Sequence, residues 1–151
     1  MNVIVLSGCS GSGKSTYAKK LLEDANGRAT CVSADHYFER GGYYDFKSDE
    51  LPQAHGYCFR RFINALRDGN AGVLDTIIID NTNQSAANIS PYFLGAQAFG
   101  WTSELVTVLC DVEVAAARNK HGVPPEKVRQ QAARIAKRQV PKTWKQRTVE
   151  L

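Results

Sequence analysis

The sequence predicts an α/β domain, a parallel sheet of four or five strands flanked by helices, with a small helical region toward the C-terminus. Three observations carry that prediction. Short apolar runs alternate with amphipathic stretches of helical period along the whole chain, the pattern of strands joined by crossover helices. The first apolar run, Val3-Ile4-Val5-Leu6, leads straight into Gly8-Cys9-Ser10-Gly11-Ser12-Gly13-Lys14-Ser15. That is a G-x-x-x-x-G-K-[ST] loop standing between a strand and a helix. Two carboxylates, Asp35 and Asp80, also fall at the carboxyl ends of predicted strands, where open parallel sheets place their binding crevice.

Strand one is expected over residues 3–7, and a helix over 14–24 whose stripe is Tyr17, Ala18, Leu21 and Leu22, with Asn26-Gly27 as its stop. Residues 29–33 form a short second strand that delivers Ser33-Ala34-Asp35-His36. Residues 39–46 are turn-rich and aromatic, which predicts a loop. Leu51, Ala54, Cys58, Phe62 and Leu66 recur at helical spacing and mark a second helix over 51–67. Gly69 and Gly72 break the chain before Thr76-Ile77-Ile78-Ile79-Asp80, a β-branched run suited to burial on both faces of a parallel sheet. Ser90-Pro91 predicts an N-cap and first position of the next helix, closed by Gly100. A fourth strand spans 104–110, Asp111 caps a helix running to Asn119, and Gly122-Val123-Pro124-Pro125 separates it from a basic helix over 125–138. One domain over 1–151 is expected, with a lid over about 118–138 and a basic tail over 139–151.

Composition bounds the partners. A hydrophobic fraction of 43% is ordinary for a soluble domain, and no run approaches the roughly 18 apolar residues of a membrane span. Met1-Asn2 enters a strand with no charged n-region or cleavage site, unlike a signal peptide. Cys9, Cys31, Cys58 and Cys110 form no C-x-x-C pair, which argues against a zinc cluster or disulfide scaffold and for a reducing cytoplasm. The net charge of +4 is uneven: residues 118–147 hold ten Lys/Arg and one acidic residue, Glu126. Such a segment fits a polyanion, nucleotide or nucleic acid, or else a solvated helix face.

The glycine loop binds phosphate through its backbone. Successive N–H groups turn inward as a nest, and the helix N-terminus adds partial positive charge. Residues Gly8 to Thr16 therefore form the expected ATP site, with Lys14 reaching the β/γ-phosphates and the Ser15 hydroxyl on Mg²⁺. Phosphoryl transfer further needs a group to take the acceptor proton and charge to stabilise the transferring phosphate. Asp35 is the candidate base, with His36 as the alternative and a capping or turn aspartate as the structural one. Asp80 either orients Mg²⁺ or bonds into its own turn, and Asn81, Thr82 and Asn83 could contact the acceptor. Arg118, at a helix end before a Gly-Pro break, can reach the transferring phosphate in cis, with Arg129 or Arg134 assisting. His55 alone reads as a packing or capping residue.

The ordered set Gly8 to Thr16, Ser33-Ala34-Asp35, Ala54-His55, Asp80-Asn81-Thr82-Asn83, Pro91-Tyr92 and Arg118-Asn119-Lys120-His121-Gly122-Val123-Pro124 resembles the polynucleotide-kinase-like P-loop kinases over residues 3–138. The resemblance implies a P-loop NTPase fold and an ATP- and Mg²⁺-dependent kinase acting on a nucleic-acid hydroxyl, in the prototype a 5′ end of DNA or RNA. It makes Asp35 the general base, Arg118 a lid arginine and Asp80 part of the metal or acceptor shell, in a bacterial or phage-infected cytoplasm. One position departs. The prototype has an arginine three residues past its catalytic aspartate that holds the acceptor phosphate, and here that position is Phe38. Arg40, Arg60 or Arg61 could substitute, or Phe38 with Tyr43, Tyr44 and Phe46 could stack on a base. The aromatics could equally anchor their own loop.

Four functions are therefore in play: a 5′-hydroxyl kinase, a kinase of hydroxymethylated pyrimidine bases within DNA, a small-molecule or nucleoside kinase, and a non-catalytic ATP-binding switch. Asp35 together with Arg118 argues against the last, since binding alone needs neither.

Overall fold

In the computed structural model, which describes residues 1–151, five strands make one fully parallel sheet. They are β1 (Asn2–Ser7), β2 (Ala29–Val32), β3 (Thr76–Asp80), β4 (Thr102–Leu109) and β5 (Gln146–Glu150), in the spatial order β2-β3-β1-β4-β5. Strand β1 sits at the centre, with Leu6 in register with Asp80 on one side and Val106 on the other. The two elements that matter most for phosphate chemistry, the glycine loop and Asp80, therefore leave the sheet side by side.

Alternation along β1 sends its side chains to two different layers. Val3 and Val5 join α3 (Leu51–Asn70) and α4 (Ala86–Ala98) in the main core, where Phe62, Leu66 and Ile89 are fully buried. Each such side chain contributes about 1.5–3 kcal/mol by leaving water. Ile4 and Leu6 face α1 (Lys14–Asp24), packing with Ala18, Tyr17, Leu21 and Leu22. A third, small cluster joins Cys9 of the glycine loop to Ala115 and Ala116 of α5 (Val112–Arg118) and Val128 of α6 (Pro125–Lys137). That cluster sets the α5–α6 pair directly against the loop. No helix is long and apolar enough to cross a membrane.

Apart from α3, which runs through Gly69 to Asn70 where the chain was expected to break, the elements expected from the sequence are present, with three differences. A short helix, α2 (Asp35–Phe38), lies between β2 and the loop expected over 39–46, where no element was expected, so Asp35 stands in its first turn. Helix α4 starts at Ala86, not at Ser90-Pro91: the Ser85 hydroxyl accepts the Asn88 N–H, and Pro91 lies inside the helix. Serine at an N-cap satisfies a free N–H, while Pro91, lacking its own, cannot donate to the carbonyl one turn earlier. The third difference is the basic tail. Residues 146–150 form β5, parallel to β4, and Trp144 stacks on Phe93 with centroids 4.3 Å apart. Two of its cations are drawn to the buried Glu104, which lies 3.4 Å from Arg147 and 3.7 Å from Lys145. By contrast, Asp111 caps α5 as expected, its carboxylate accepting from Glu113 and Val114 N–H.

Candidate active site

Two side-chain amides set the geometry of the site before any reactive group is considered. The Asn83 Nδ2 donates to the Leu6 carbonyl at 2.7 Å, and the Asn83 carbonyl accepts from the Ser7 hydroxyl, so the end of β1 is stapled to the turn after β3. Gly8 N–H reaches the Thr82 carbonyl in the same staple. Asn81 Oδ1 accepts from Ala34 N–H at 2.8 Å, which ties the end of β2, and hence Asp35, to the end of β3. Its Nδ2 points inward to Cys58 and Tyr92. Asn81 and Asn83, expected to contact an acceptor, are thus buried braces, the Asn81 amide and the Asn83 Nδ2 being bonded within the fold. Arg138 adds a third brace, donating to the Ser7 hydroxyl, the Asn83 carbonyl and the Thr107 hydroxyl.

The glycine loop lines a pocket of about 300 Å³ with Lys14, Ser15, Thr16, Arg118, Lys120, His121 and Leu151. Lys14 Nζ is folded back onto the Cys9 carbonyl at 3.2 Å, and burial holds its ammonium below the usual lysine range. Arg118 reaches over the loop from the end of α5, its Nε donating to the Gly11 carbonyl at 2.6 Å. Ser12 Oγ is buried without a partner. A ring of loop amides, one ammonium and one guanidinium is a cradle for a chain of phosphates.

A second cleft of about 480 Å³ lies alongside, lined by Ser15, Cys31, Ser33, Asp35, His36, Glu39, Asp80 and His121. Ser15 and His121 line both spaces. Ser15 Oγ donates to Asp80 Oδ2 at 2.7 Å, while Asp80 Oδ1 is buried with no partner. That orphaned oxygen beside a hydroxyl fits Mg²⁺, which takes one or two protein oxygens and completes its shell with waters and phosphate. The structure groups no three Asp, Glu, His or Cys side chains as an all-protein cage, the arrangement Mg²⁺ does not need.

Asp35 opens into the cleft. Ser33 Oγ accepts its backbone N–H, Tyr44 OH donates to Oδ1 at 3.3 Å, and His121 Nε2 stands 3.7 Å from Oδ2. Burial and the adjacent Asp35 carboxylate raise the Tyr44 phenol above its ordinary value, keeping it a proton donor. His36 instead pairs through Nδ1 with Arg61 at 2.8 Å.

Other sequence candidates lie elsewhere. Phe38, expected at the substrate, is 5% exposed and packs in the main core against Tyr37, Tyr44 and Phe46. An aromatic ring in the first helical turn after β2 has the apolar interior as its nearest home. Tyr43, by contrast, is 68% exposed. Arg40 lies over the Tyr37 ring and donates to the Tyr37 carbonyl. Arg129 is held by Glu113 and Glu126, and Arg134 meets Gln84. Sequence reasoning missed Tyr44 and His121 as partners of Asp35. Their signal was weak: Tyr44 was one of several loop aromatics, and His121 one letter of the segment after Arg118.

Comparison with known proteins places this arrangement. Residues 3–143 match the family model described as AAA domain. The human NEDD4-binding protein 2 is 33% identical over 132 residues, 83% of this chain, which spans only 7% of that much longer protein. Among solved structures, the Pnkp1/Rnl/Hen1 RNA repair complex superposes with a TM-score of 0.70 at 16% identity, over 89% of this chain and 44% of that one. A gluconokinase from Sinorhizobium meliloti 1021 superposes with a TM-score of 0.64 at 14% identity, over 99% and 82%. At such identities the likeness establishes the P-loop NTPase fold.

Proposed function

This chain belongs to the AAA-domain family, and within it we propose an ATP-dependent kinase that transfers the γ-phosphate to a hydroxyl of a nucleic acid, the 5′ end of DNA or RNA. The observation that carries this reading is the pair of adjoining spaces. One is lined by Lys14, Arg118 and the loop amides, the other by Asp35, and they meet at Ser15 and His121. A pure nucleotide switch has no use for a carboxylate across from its phosphate cradle.

In the reaction, Asp35 accepts the proton of the acceptor hydroxyl as its oxygen bonds to the γ-phosphorus. The bond from that phosphorus to the bridging oxygen breaks, and ADP leaves with the electron pair. Lys14, the loop N–H groups and Arg118 offset the charge on the transferring oxygens, Arg118 as the cis arginine of a lid formed by α5 and α6. Ser15 and Asp80 would hold Mg²⁺, which would supply neutralising charge for the phosphates when bound. The exposed aromatics Tyr43 and Phe46, on the loop whose Tyr44 bonds Asp35, offer a stacking surface for a single-stranded end. Lys120, Lys127, Lys137 and Lys142 supply backbone attraction, since Arg129, Arg138, Lys145 and Arg147 are engaged within the fold.

Phe38 favours a second acceptor of the same chemistry. The position that carries an acceptor-phosphate arginine in the resembled kinases is here a buried ring, which suits a hydroxymethylated pyrimidine base within DNA. Labelled ATP offered to 5′-hydroxyl oligonucleotides, hydroxymethyl-base duplex and nucleosides separates the readings. Label on oligonucleotide ends, lost in Asp35→Asn with ATP binding retained, supports the proposal. Label on nucleosides alone, or on nothing, overturns it.

A further inference from the structure

We propose that His121 is a positioning residue for phosphoryl transfer, holding the Asp35 carboxylate at the junction of the phosphate pocket and the acceptor cleft; this rests on the reading of Asp35 as the base. Besides Ser15, His121 is the only residue that lines both spaces. A phosphate passing from donor to acceptor crosses the wall these two residues share.

The carboxylate is approached from two sides. Tyr44 OH donates to one oxygen at 3.3 Å, and His121 Nε2 stands 3.7 Å from the other. The Tyr44 and His121 rings lie against each other, with centroids 4.1 Å apart and planes at 35°. Contacts at both oxygens, from two different loops, restrict rotation of the carboxylate about its terminal torsion, which is otherwise broad. Each oxygen keeps a lone pair for the acceptor proton, and the Asp35 side chain is still 46% exposed.

The loop that presents His121 is itself held. Asn119 Nδ2 donates to the carbonyls of Ala116 and Val123, its Oδ1 accepts from Val123 N–H, and Gly122 turns the chain at a φ of 66°. Three residues before His121, Arg118 is bonded to the Gly11 carbonyl of the glycine loop. One short segment therefore touches the phosphate loop at one end and the base at the other. An exposed His–carboxylate pair adds little to stability, so what this contact contributes is orientation, and losing it should act on turnover without unfolding the chain.

The experiment compares His121→Ala, His121→Gln, Asp35→Asn and the Asp35→Asn/His121→Ala double variant in steady-state phosphoryl transfer, with thermal melts alongside. Loss of a positioning contact should lower kcat about 10- to 100-fold, leaving the KM for ATP within about twofold and the melting temperature unchanged. Glutamine, whose amide can donate to the same oxygen, should restore most of the loss. In the Asp35→Asn background, His121→Ala should cost nothing further, because the group it positions is gone. With wild type active and Asp35→Asn strongly impaired but measurable, an indifferent His121→Ala variant overturns this role alone, as does a further loss from His121→Ala in the Asp35→Asn background. A wild type that phosphorylates no acceptor, or an active Asp35→Asn variant, overturns the base reading and this role with it.

Discussion

Replacing Gly11 by alanine should damage the site by two separable routes. The residue has a φ of +81°, and an added Cβ would lie 2.0 Å from the Ala115 carbonyl oxygen and 2.8 Å from its carbon. The left-handed backbone costs an alanine about 1–2 kcal/mol. The clash is with helix backbone, which cannot rotate aside as a side chain would, so α5 and the loop must part; overpacking of that kind costs about 1–3 kcal/mol. Together, less the roughly 0.4–1 kcal/mol recovered by stiffening the unfolded chain, the loss should be about 1–4.6 kcal/mol. Gly27 supplies the control: its φ is +82°, and nothing lies within 4 Å of the added Cβ. Gly27→Ala keeps only the backbone strain, less the roughly 0.4–1 kcal/mol recovered by stiffening the unfolded chain. Equilibrium urea unfolding of both variants gives the clash by difference. Separation of α5 from the loop also pulls Arg118 from the Gly11 carbonyl, so ATP affinity should fall at least tenfold in Gly11→Ala and stay unchanged in Gly27→Ala. Equal unfolding midpoints for the two variants would refute the close approach of α5 on which the site geometry depends.

Arg118→Ala should lower kcat about a thousandfold, whereas Arg129→Ala, whose guanidinium is bound to Glu113 and Glu126, should stay within twofold; comparable losses in steady-state kinetics would misplace the cis arginine. Phe38→Ala should destabilise the chain by about 3–5 kcal/mol in urea titration, as expected of a core phenylalanine. Tyr43→Ala should leave stability alone and weaken a single-stranded oligonucleotide by about 1–3 kcal/mol, read by fluorescence anisotropy. Burial pushes the Cys31 thiol from 9.0 up to about 12. The folded thiol stays protonated while the unfolded one ionises, so stability should be full below about pH 9 and decline as pH rises toward 12. Urea midpoints across that range should fall less steeply in Cys31→Ala, and iodoacetamide at pH 8 should label Cys31 far more slowly than a free cysteine peptide.

Much of the site could be read from local chemistry. The glycine loop, Asp35, Asp80 and Arg118 stand near the expected ends of their elements because strand ends are marked by composition: β-branched runs stop, and small or polar residues begin. What the sequence left open shares a cause. Phe38, Asn81 and Asn83 have residue types that suit a ligand as well as a brace, and only their neighbours decide where they sit. Asn81 Oδ1 is bound to Ala34 N–H, 47 positions away in the chain; no local pattern encodes that partner. Ser90-Pro91 resembles a helix start, yet Ser85 had the better-placed hydroxyl.

By itself, then, the sequence determined the α/β alternation, the phosphate loop and which strand ends carry carboxylates, because periodicity, glycine geometry and N-caps act over a few residues. Tertiary structure decided what those groups face. It turned the basic tail into an edge strand, buried Phe38, and brought His121 and Tyr44 onto Asp35 across separations of 86 and nine residues. Those contacts depend on α5 and α6 packing against the loop through Cys9, Ala115 and Val128, an association driven by apolar burial that is non-directional and so leaves no motif in the chain.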